Sequence, residues 1–555
     1  MPSLSRANRP ANARRRLLPI GLSLLAIAGV SLAAAAETAK SEWVYRGPKG
    51  KLVYKTTPAG DRIVDFSHAG YRGGGVAIPT VPVKRTVKPT GGEDDCATIQ
   101  KAIDEVSSLP EKGGFRGAVL LAPGVYNCPQ PLSISASGVV LRGSGNEAGK
   151  KRSTLKLTGR PHTAIRVRAS DERRGDEPEA AAGAASAITD AYVPSGATSF
   201  TVADSKGFAR GDTISIRHPV TEAWVKFMQM DDMERGGRHQ TWLRAGTTLA
   251  AERTIKSIEG NKITVDVPLT DSLDAKVLSP PGPSLVKIKP PERLTEVGIE
   301  RLHIESPPQA ISHSQPHFSA MRFHAQDGWM RDLDIDETMN SVGIGGKRIT
   351  VQRVAITRKA QHQGASKPAE FAPNGTQILL DRCSVTGDNV WFVATGGRQS
   401  GPTVILNSTF QGDSRAESHQ RWSTGMLYDN CRAPDGGIEL RNRGSMGSGH
   451  GWSMGWGVVW NSEARDYIVQ NPPGVMNWLI GSTGESKQAP RPFGKEPLLA
   501  AGTLDSHGKH VDPESLYLAQ LAERLGPRAL RNIGYTSTSV KSATPPVKLA
   551  ASIGR

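Results

Sequence analysis

The chain of 555 residues is poor in aromatic side chains, which make up 5% of it, and it has only four cysteines. Beyond the N-terminus it lacks an apolar run long enough to span a membrane, which excludes a membrane-spanning helix there. Between residues 332 and 464 it also lacks a helix-period pattern, which excludes a helical repeat. It is rich in glycine and proline, with 60 and 38 residues, and this composition suits short strands joined by turns.

Six short segments with a common pattern recur in the second half of the chain. Each opens with a polar residue and places apolar or small residues at its second and fourth positions; the openings are Asp332, Arg353, Arg382, Asn407, Asn430 and Asn461. These starts are 21, 29, 25, 23 and 31 residues apart. One short strand per irregular repeat of this length is typical of a solenoid. The pattern predicts an all-β, single-stranded, right-handed parallel β-helix; strands of a β-sandwich that align by chance are the alternative.

Five segments follow from this reading of the chain. Residues 1–36 are predicted to be a signal peptide, and residues 37–171 to hold extended segments, a capping helix and the first coils. The period is lost in residues 172–281, which indicates a β-rich insertion. Residues 282–485 form the main coils, and residues 486–555 a linker, a helix over 514–525 and a basic tail.

The N-terminus has the features of an export signal. Arg14, Arg15 and Arg16 precede the apolar run 17–30, and three alanines at 34–36 supply a cleavage site of small residues. We therefore expect a secreted or periplasmic protein that is exported by the general route or, given the paired arginines, by the twin-arginine route.

The charge of the chain indicates the kind of partner. Residues 1–36 carry five arginines and no acid, so the mature chain keeps about +11 of the formal +16. A basic exported protein suits an acidic polysaccharide, a membrane surface or nucleic acid. Lysine and arginine are scattered rather than clustered with aromatic residues, which makes nucleic acid the weakest of the three.

The strand register constrains the cysteines. Cys383 and Cys431 occupy the same register position two coils apart. Stacked strands lie about 4.8 Å apart, so their Cα atoms would be roughly 9.6 Å apart, beyond the ~7 Å limit for a disulfide. We predict two reduced, inward-facing thiols in a ladder with Ser408 and Ser462. Whether Cys96 and Cys128 form a disulfide is left open by the sequence.

A helix is predicted over residues 95–106, and the residues that begin it carry a family resemblance. The run Gly-Gly-Glu-Asp-Asp at 91–95, followed by Ile99, Gln100, Ala102 and Ile103, resembles the pectate-lyase-like proteins of bacteria. The resemblance implies a helix that caps the N-terminal end of the solenoid. It also implies action on a polysaccharide, often a uronic acid polymer, by β-elimination, hydrolysis or epimerisation. One scaffold hosts several chemistries, so the fold is implied more firmly than the reaction.

Reactive and ring side chains concentrate in residues 413–482. His419 and His450 each lie 11 residues before the opening of a repeat, so we expect their imidazoles to stack on neighbouring coils. Arg398, Arg421 and Trp452 each lie nine residues before such an opening and are predicted to form the next line. Such a column would make a wall for an extended polymer that runs along the solenoid.

Cleavage of a uronic acid polymer by β-elimination requires three groups. A cation neutralises the carboxylate, a base removes the proton at C5, and an acid protonates the departing O4. Our candidates for catalysis are Arg421 or Arg443 for the first role, His419 or His450 for the second, and Tyr428 or water for the third. Candidates for substrate binding are Arg398, Trp422, Arg441, Asn442 and Trp452.

Other functions stay open at this point. Many pectate-lyase-like enzymes neutralise the carboxylate with Ca²⁺, and the weak candidates for such a site are Asp332, Asp334, Asp336 and Glu337. Gly449-His450-Gly451 is similar to a motif of polygalacturonases, but the pair of acids that hydrolysis needs is not evident. A uronan epimerase and a non-catalytic polysaccharide-binding β-helix are the remaining alternatives. The sequence does not identify the polymer.

Overall fold

The computed structural model describes residues 39–146, 152–169, 180–494 and 498–536. The predicted signal peptide, the polar run 171–179 and the predicted basic tail beyond residue 536 lie outside the described residues. In the part of the chain that is described, no helix is both long and apolar enough to cross a membrane.

Most strands belong to one continuous hydrogen-bonded network. In chain order its strands are Val83–Val87, Gly117–Leu121, Gly124–Cys128, Leu132–Ile134, Val139–Gly143, Ser153–Leu157, Thr163–Val167, Gly298–Glu305, Ser319–Asp336, Val342–Thr357, Ala369–Pro373, Ile378–Asp381, Ser384–Thr386, Trp391–Ala394, Ser400–Leu406, Thr409–Gln411, Arg415–Glu417, Ser423–Asp429, Arg432–Leu440, Met454–Gly455, Val458–Trp460, Glu463–Val469, Trp478–Ile480, Thr483–Ser486 and Thr503–Asp505. The neighbouring strands within this network pair in parallel.

The register divides the network into three parallel sheets. Sheet A stacks residues 85–87, 118–121, 139–143, 298–300, 329–331, 350–352, 379–381, 403–406, 426–429, 458–460, 478–480 and 503–505. Sheet B stacks residues 124–128, 153–157, 303–305, 333–336, 354–357, 384–386, 409–411, 432–433 and 463–464. Sheet C stacks residues 132–134, 163–167, 319–323, 342–344, 369–373, 391–394, 415–417, 437–440, 466–469 and 485–486. Because the chain passes through C, A and B in turn, the fold is a parallel β-helix.

The six predicted repeat openings occupy equivalent positions in this fold. Each is the first residue after a strand of sheet A, and it lies one or two residues before the next strand of sheet B. All six have a left-handed backbone, with φ of 54°, 51°, 53°, 47°, 58° and 44° at Asp332, Arg353, Arg382, Asn407, Asn430 and Asn461. So short a turn between two sheets requires this conformation at its first residue, and asparagine and aspartate adopt it more readily than most residues. The polar openings therefore mark one corner of the coil.

The residues after this corner point into the core, as predicted. Cys383 and Cys431 are buried free thiols. The hydroxyl of Ser408 accepts a hydrogen bond from the backbone N–H of Cys383 (3.2 Å), and that of Ser462 accepts one from Cys431 (3.1 Å). The prediction of two unbridged, inward-facing thiols is confirmed. Cys96 and Cys128, which the sequence left open, form a disulfide with 5.0 Å between their Cα atoms.

Three helices pack against the coils. The helix predicted at 95–106 forms at Cys96–Ser107. Its buried residues Ile99, Ile103 and Val106 belong to the same hydrophobic core as the first strands of the coil. The helix predicted near 514–525 forms at Leu516–Leu525 and is followed by Pro527–Asn532. Leucines of the longer one share a core with outward residues of sheet A, and Asp429 accepts hydrogen bonds from Ser515 Oγ (2.7 Å) and Tyr517 N (2.8 Å) at its start.

Residues 180–288 form an antiparallel unit beside the coils. Its six-stranded sheet has the order Ala180–Ala187, Ser284–Ile288, Thr213–Pro219, Thr248–Glu259, Lys262–Val265 and Ser199–Thr201. Short helices lie at Glu222–Phe227 and Ala275–Leu278. Further strand pairs lie at Tyr192–Val193 with Leu273–Asp274, Glu234–Arg235 with Arg238–His239, Val44–Arg46 with Leu52–Tyr54, and Ala39–Lys40 with Val511–Asp512.

Candidate active site on the outer face of sheet C

The topology of sheet C brings two sets of connections to its opposite edges. Because its strands are parallel, every connection that enters the sheet lies along one edge and every connection that leaves it lies along the other. His419, Arg443 and His450 lie in the leaving connections, after strands Arg415–Glu417 and Arg432–Leu440. The site residues predicted from widely spaced motifs are therefore gathered along one edge.

His419 and Glu417 form the centre of the site. The Nδ1 atom of His419 contacts Oε1 of Glu417, a residue whose side chain is fully buried. Arg443 Nη1 lies 2.9 Å from the same carboxylate oxygen and 2.6 Å from the same ring nitrogen. It also donates to the backbone oxygen of His419 (2.9 Å). Within the described residues, His419 Nε2 makes no hydrogen bond, and the side chain is 23% exposed.

The contact between His419 Nδ1 and Glu417 Oε1 can hold a proton on either atom. When it is on Nδ1, the imidazole donates to Glu417 and Nε2 carries a free electron pair. When it is on the carboxyl group, Nδ1 accepts, and the neutral ring then carries its hydrogen on Nε2. The pair can therefore present either a proton acceptor or a proton donor at Nε2.

The second predicted imidazole completes the group. The ring centroids of His419 and His450 are 4.7 Å apart, as expected for neighbouring coils. Arg443 Nη1 lies 3.3 Å from His450 Nδ1. Gly447, with φ +57°, packs against the His450 ring so closely that a Cβ at this position would collide with it. A glycine is therefore required where the loop folds over the imidazole.

Burial and charge set the protonation of these groups. Burial lowers the pKa of His419 to about 3, and the charge of Arg443 acts in the same direction. Burial also lowers the pKa of His450 to about 3, with His419 and Arg443 adding to the effect. Burial raises the pKa of Glu417 to about 7 against the opposing effect of Arg443. Both imidazoles are therefore neutral near pH 7, and Glu417 titrates in that range.

Trp391 lies beside this group and differs from the other tryptophans. Of the ten in the chain, all of them in the described residues, nine are buried and Trp391 is partly exposed. Its ring centroid lies 5.6 Å from that of His419. The Arg443 guanidinium and the Lys367 ammonium each lie 5.2 Å from the Trp391 centroid. A partly exposed ring with two cations close to it can stack on a sugar that carries a negative charge.

A second carboxyl group lies next to Glu417. Glu417 and Glu439 are register partners on adjacent strands of sheet C, about 4.8 Å apart at the backbone. Arg441 Nη1 lies 3.7 Å from Glu439 Oε2, and Arg415 Nε lies 3.4 Å from Oε1. Burial raises the pKa of Glu439, and the charge of Glu417 adds to this. The candidate Arg441 therefore interacts with a carboxylate of the protein.

The predicted line of Arg398, Arg421 and Trp452 is formed in part. The backbone N–H of Arg398 donates to Arg421 O (2.8 Å), so the two arginines are neighbours. The next residue in the line is His450, whose oxygen accepts from Arg421 N (2.9 Å), and not Trp452. Arg421 also donates to the backbone oxygens of Ser448 (2.8 Å) and Gly449 (3.3 Å), while Arg398 is exposed.

Four predicted site residues do not reach the surface. The Tyr428 ring lies fully buried in the core, and its hydroxyl has no hydrogen-bond partner in the described residues, so its prediction as an acid is wrong. Trp422 and Trp452 are 2% and 3% exposed because the 180–288 unit covers them. Asn442 is 2% exposed and accepts a hydrogen bond from Gly444 N (2.8 Å). The prediction of these three as substrate-binding residues is wrong.

The buried Trp422 and Trp452 form hydrogen bonds with residues of the 180–288 unit. Trp422 Nε1 donates to Asp271 Oδ2 (2.8 Å), and Trp452 Nε1 donates to Met228 O (3.0 Å). Trp224 and Trp242 meet the Trp422 ring edge-on at 5.6 and 5.8 Å. These rings fix the unit to the coils.

The four acids considered for calcium have separate partners. Asp332 bonds Arg353 (2.6 Å), Asp334 bonds Asn146 (3.4 Å), and Asp336 bonds His303 (3.0 Å). Glu337 accepts from the backbone N–H groups of Lys359 (3.0 Å) and Ala360 (3.1 Å). Across the described ranges, no three such side chains gather in the manner of a metal site.

Comparison with known proteins gives no assignment. No family model and no curated protein sequence matches the chain. Among solved structures, it is similar to a tailspike of Pseudomonas phage phi297, with 14% identity, coverage of 70% of this chain and 58% of that chain, and a TM-score of 0.35. It is also similar to the A-module of a mannuronan C-5 epimerase from Azotobacter vinelandii (10% identity, 73% and 89% coverage, TM-score 0.29). A polygalacturonase from Erwinia carotovora is similar at 13% identity, 79% and 98% coverage and a TM-score of 0.29. Similarities at these TM-scores carry no argument about function.

Proposed function

We propose that this protein is a lyase that cleaves an acidic polysaccharide by β-elimination on the outer face of sheet C. The observation that carries the proposal is the partly exposed Trp391, which has two cations within 5.2 Å of its ring centroid and the His419–Glu417 pair beside it. A sugar ring can stack on the indole while its C5–H faces the imidazole.

The proposed reaction depends on which atom of the His419–Glu417 contact holds the proton. With the proton on Nδ1, His419 Nε2 removes hydrogen from C5 as a general base. The electron pair of the C5–H bond forms the C4–C5 double bond, and the C4–O4 bond breaks. The imidazolium then returns its proton to O4, since Tyr428 is buried in the core. Glu417 orients the ring and stabilises its charged form, as a carboxylate does for a catalytic histidine elsewhere.

Arg421, with Arg398 beside it, is assigned to the carboxylate of the sugar that reacts. The backbone of Arg421 is bonded to His450, which places it next to the imidazoles, and the neighbouring Arg398 is exposed. Arg443 has a different role because it is 3% exposed and its Nη1 is bound to Glu417 and His419. It is a positioning residue for the base.

Hydrolysis is the second candidate, because Glu417 and Glu439 are register partners on adjacent strands. Two carboxyl groups about 5 Å apart are the arrangement of retaining glycosidases. Both side chains are buried, at 0% and 10% exposure, and this favours the elimination in which His419 meets the substrate.

The test is incubation with a panel of pectate, alginate, glucuronan and glycosaminoglycans. A lyase gives an unsaturated product that absorbs near 235 nm, whereas a hydrolase gives reducing ends without that absorbance. An epimerase gives only exchange of the C5 hydrogen in D₂O, and a binding protein gives none of these. Absence of new absorbance on every uronic acid polymer would contradict the proposal.

Two further features belong to the proposal. We propose export, because the N-terminal arginines and the apolar run 17–30 have the form of a signal peptide. N-terminal sequencing of the mature protein should find cleavage after the alanines at 34–36.

We also propose that the coil is right-handed and capped by helix 96–107, since connections between parallel strands are right-handed in about 98% of cases.

A further inference from the structure

The connections that enter sheet C carry a second group of titratable side chains. His313 precedes strand Ser319–Asp336, and His362 and Lys367 precede strand Ala369–Pro373. The ring centroids of His313 and His362 are 5.4 Å apart, and His313 Nε2 lies 2.8 Å from Ser366 Oγ. The Lys367 ammonium lies over Trp391. This group therefore lies along the edge of sheet C opposite His419, and the exposed indole lies between them.

Several buried polar atoms in this group have no partner in the described residues. His362 is 4% exposed, and both of its ring nitrogens are unpaired. Arg358 Nη1 and Glu370 Oε1 are also buried and unpaired. The charge of Arg358 acts on both His362 and Glu370, so both lie within electrostatic range of Arg358. A buried polar atom without a partner costs about 1–3 kcal/mol, so such a group indicates that a ligand or water completes it.

The charges around this group favour an anion. Arg358 and Lys367 are cations, and His313, His317 and Lys367 all act on His362. Glu370 and Glu337 are the acids that act on Arg358. Burial raises the pKa of Glu370 to about 7, so Glu370 is largely uncharged in mildly acidic solution. Burial lowers the pKa of His362 to about 4, so without a ligand its imidazole is neutral. A carboxylate beside these imidazoles would raise their pKa values and cause them to take up a proton.

We propose that His313 and Lys367, with the buried His362 next to His313, form a subsite for the carboxylate of the sugar that follows the one stacked on Trp391. The proposal rests on the proposed function, since it names a second contact of the same acidic polymer. Arg421 on one edge and this group on the other would then hold two successive uronic acids on either side of the indole. The polysaccharide would therefore need a carboxylate on each of two neighbouring sugars. A polymer in which acidic and neutral sugars alternate would bind less tightly.

The experiment is isothermal titration calorimetry at pH 6 with galacturonate, mannuronate and guluronate hexasaccharides. Each titration is repeated in two buffers of different ionisation enthalpy, so that proton uptake is measured directly. We expect wild-type protein to take up protons on binding and to bind up to about tenfold more tightly for each unit by which the pH is lowered. The double variant His313→Asn/His362→Asn should lose most of the uptake and bind about tenfold more weakly at pH 6. A carboxyl-reduced hexasaccharide should show no uptake with either protein.

The controls separate loss of this subsite from a general effect of replacing a histidine. His510→Asn removes a half-buried histidine whose backbone oxygen bonds Ala39, and it should behave as wild type. Binding by wild type without proton uptake, or full uptake by the double variant, would overturn the subsite and leave the proposed function standing. Failure of wild type to bind or cleave any uronic acid polymer would overturn both. If the double variant does not fold, His313→Asn alone serves, because that side chain is only half-buried.

Discussion

The Nδ1 atom of His419 contacts the carboxylate of Glu417, two residues earlier in the same turn of the coil. Arg443 Nη1 is within 2.9 Å of that carboxylate and within 2.6 Å of that nitrogen. The imidazole is thus fixed on one side by two buried groups, and its Nε2 is left for chemistry. The catalytic predictions below depend on this contact.

Replacement of His419 by alanine should remove the base. We expect His419→Ala to lower kcat by roughly 10² to 10⁴-fold, the usual contribution of a general acid or base. The side chain is 23% exposed, so the unfolding temperature should change little. Absorbance at 235 nm measures the rate, and thermal unfolding measures stability, with His510→Asn as the control. A large loss of stability with normal activity of the folded fraction would show that His419 is structural.

The titration of Glu417 should appear in the pH profile. Its pKa is raised to about 7, and only its charged form accepts the Nδ1 hydrogen and leaves Nε2 free to act as a base. We therefore expect kcat/KM to rise with pH through about 7. Glu417→Gln should abolish this limb and lower kcat at pH 8. A profile that keeps the limb in Glu417→Gln would assign it to another group.

Removal of the exposed indole should weaken substrate binding more than it slows the chemical step. We expect Trp391→Ala to raise KM about tenfold or more with a smaller fall in kcat, because the ring holds the sugar and transfers no proton. Trp391→Phe should fall between wild type and alanine. The buried Trp452, replaced by Phe, is the matched control, and it should lower the unfolding temperature with little effect on KM. Equal KM values for Trp391→Ala and wild type would show that the substrate does not bind on this ring.

The carboxylate of the substrate should be neutralised by arginine. We expect Arg421→Lys to lose most of the activity, since an ammonium cannot reproduce the two-pronged contact of a guanidinium. Dialysis against EDTA should leave activity nearly intact. Complete loss with EDTA that Ca²⁺ restores would contradict the arginine assignment and direct attention to Asp332, Asp334, Asp336 and Glu337.

The buried Glu370 should make stability depend on pH. Its pKa is raised from 4.5 to about 7, so the folded chain holds this proton more tightly than the unfolded chain does. That contribution is fully present below pH 4.5 and is lost as the pH rises through about 7, a change of about 3 kcal/mol. Denaturant unfolding at pH 4.5 and pH 8 should therefore show wild type losing stability relative to Glu370→Gln. The exposed Glu93→Gln is the control, and a constant difference between wild type and Glu370→Gln would refute the shift.

Much of the coil could be predicted from short-range pattern. The openings from Asp332 to Asn461 share one backbone conformation, which favours a polar residue there. Inward and outward side chains alternate along the strand that follows. Both features therefore repeat in the sequence. The same register placed His419 and His450 together, because equal offsets from a common corner lead to equal positions on neighbouring coils.

The identity of the exposed ring could not be predicted. Their neighbours in sequence predict a groove position for Trp422 and Trp452, but Trp224 packs against Trp422 and Trp242 donates a hydrogen bond to Trp452 O. Trp391 is partly exposed because no segment of the 180–288 unit covers it as that unit covers Trp422 and Trp452. The residues near Trp391 in sequence carry no signal of this difference. Glu417 was overlooked because its contact with His419 depends on how the chain leaves sheet C. The signal available was its position two residues before a candidate base.

The corner between sheets A and B has a consequence for how this molecule can vary. That corner is one or two residues long in each of the six coils from Asp332 to Asn461, while the coils themselves differ in length by up to ten residues. The extra length falls in the connections into and out of sheet C, where His313, His362, His419 and His450 lie. The corner between sheets A and B is thus nearly constant in length, whereas the connections into and out of sheet C can lengthen or shorten. New substrate preferences can arise there by exchange of loops, and the stacking of the coils need not change.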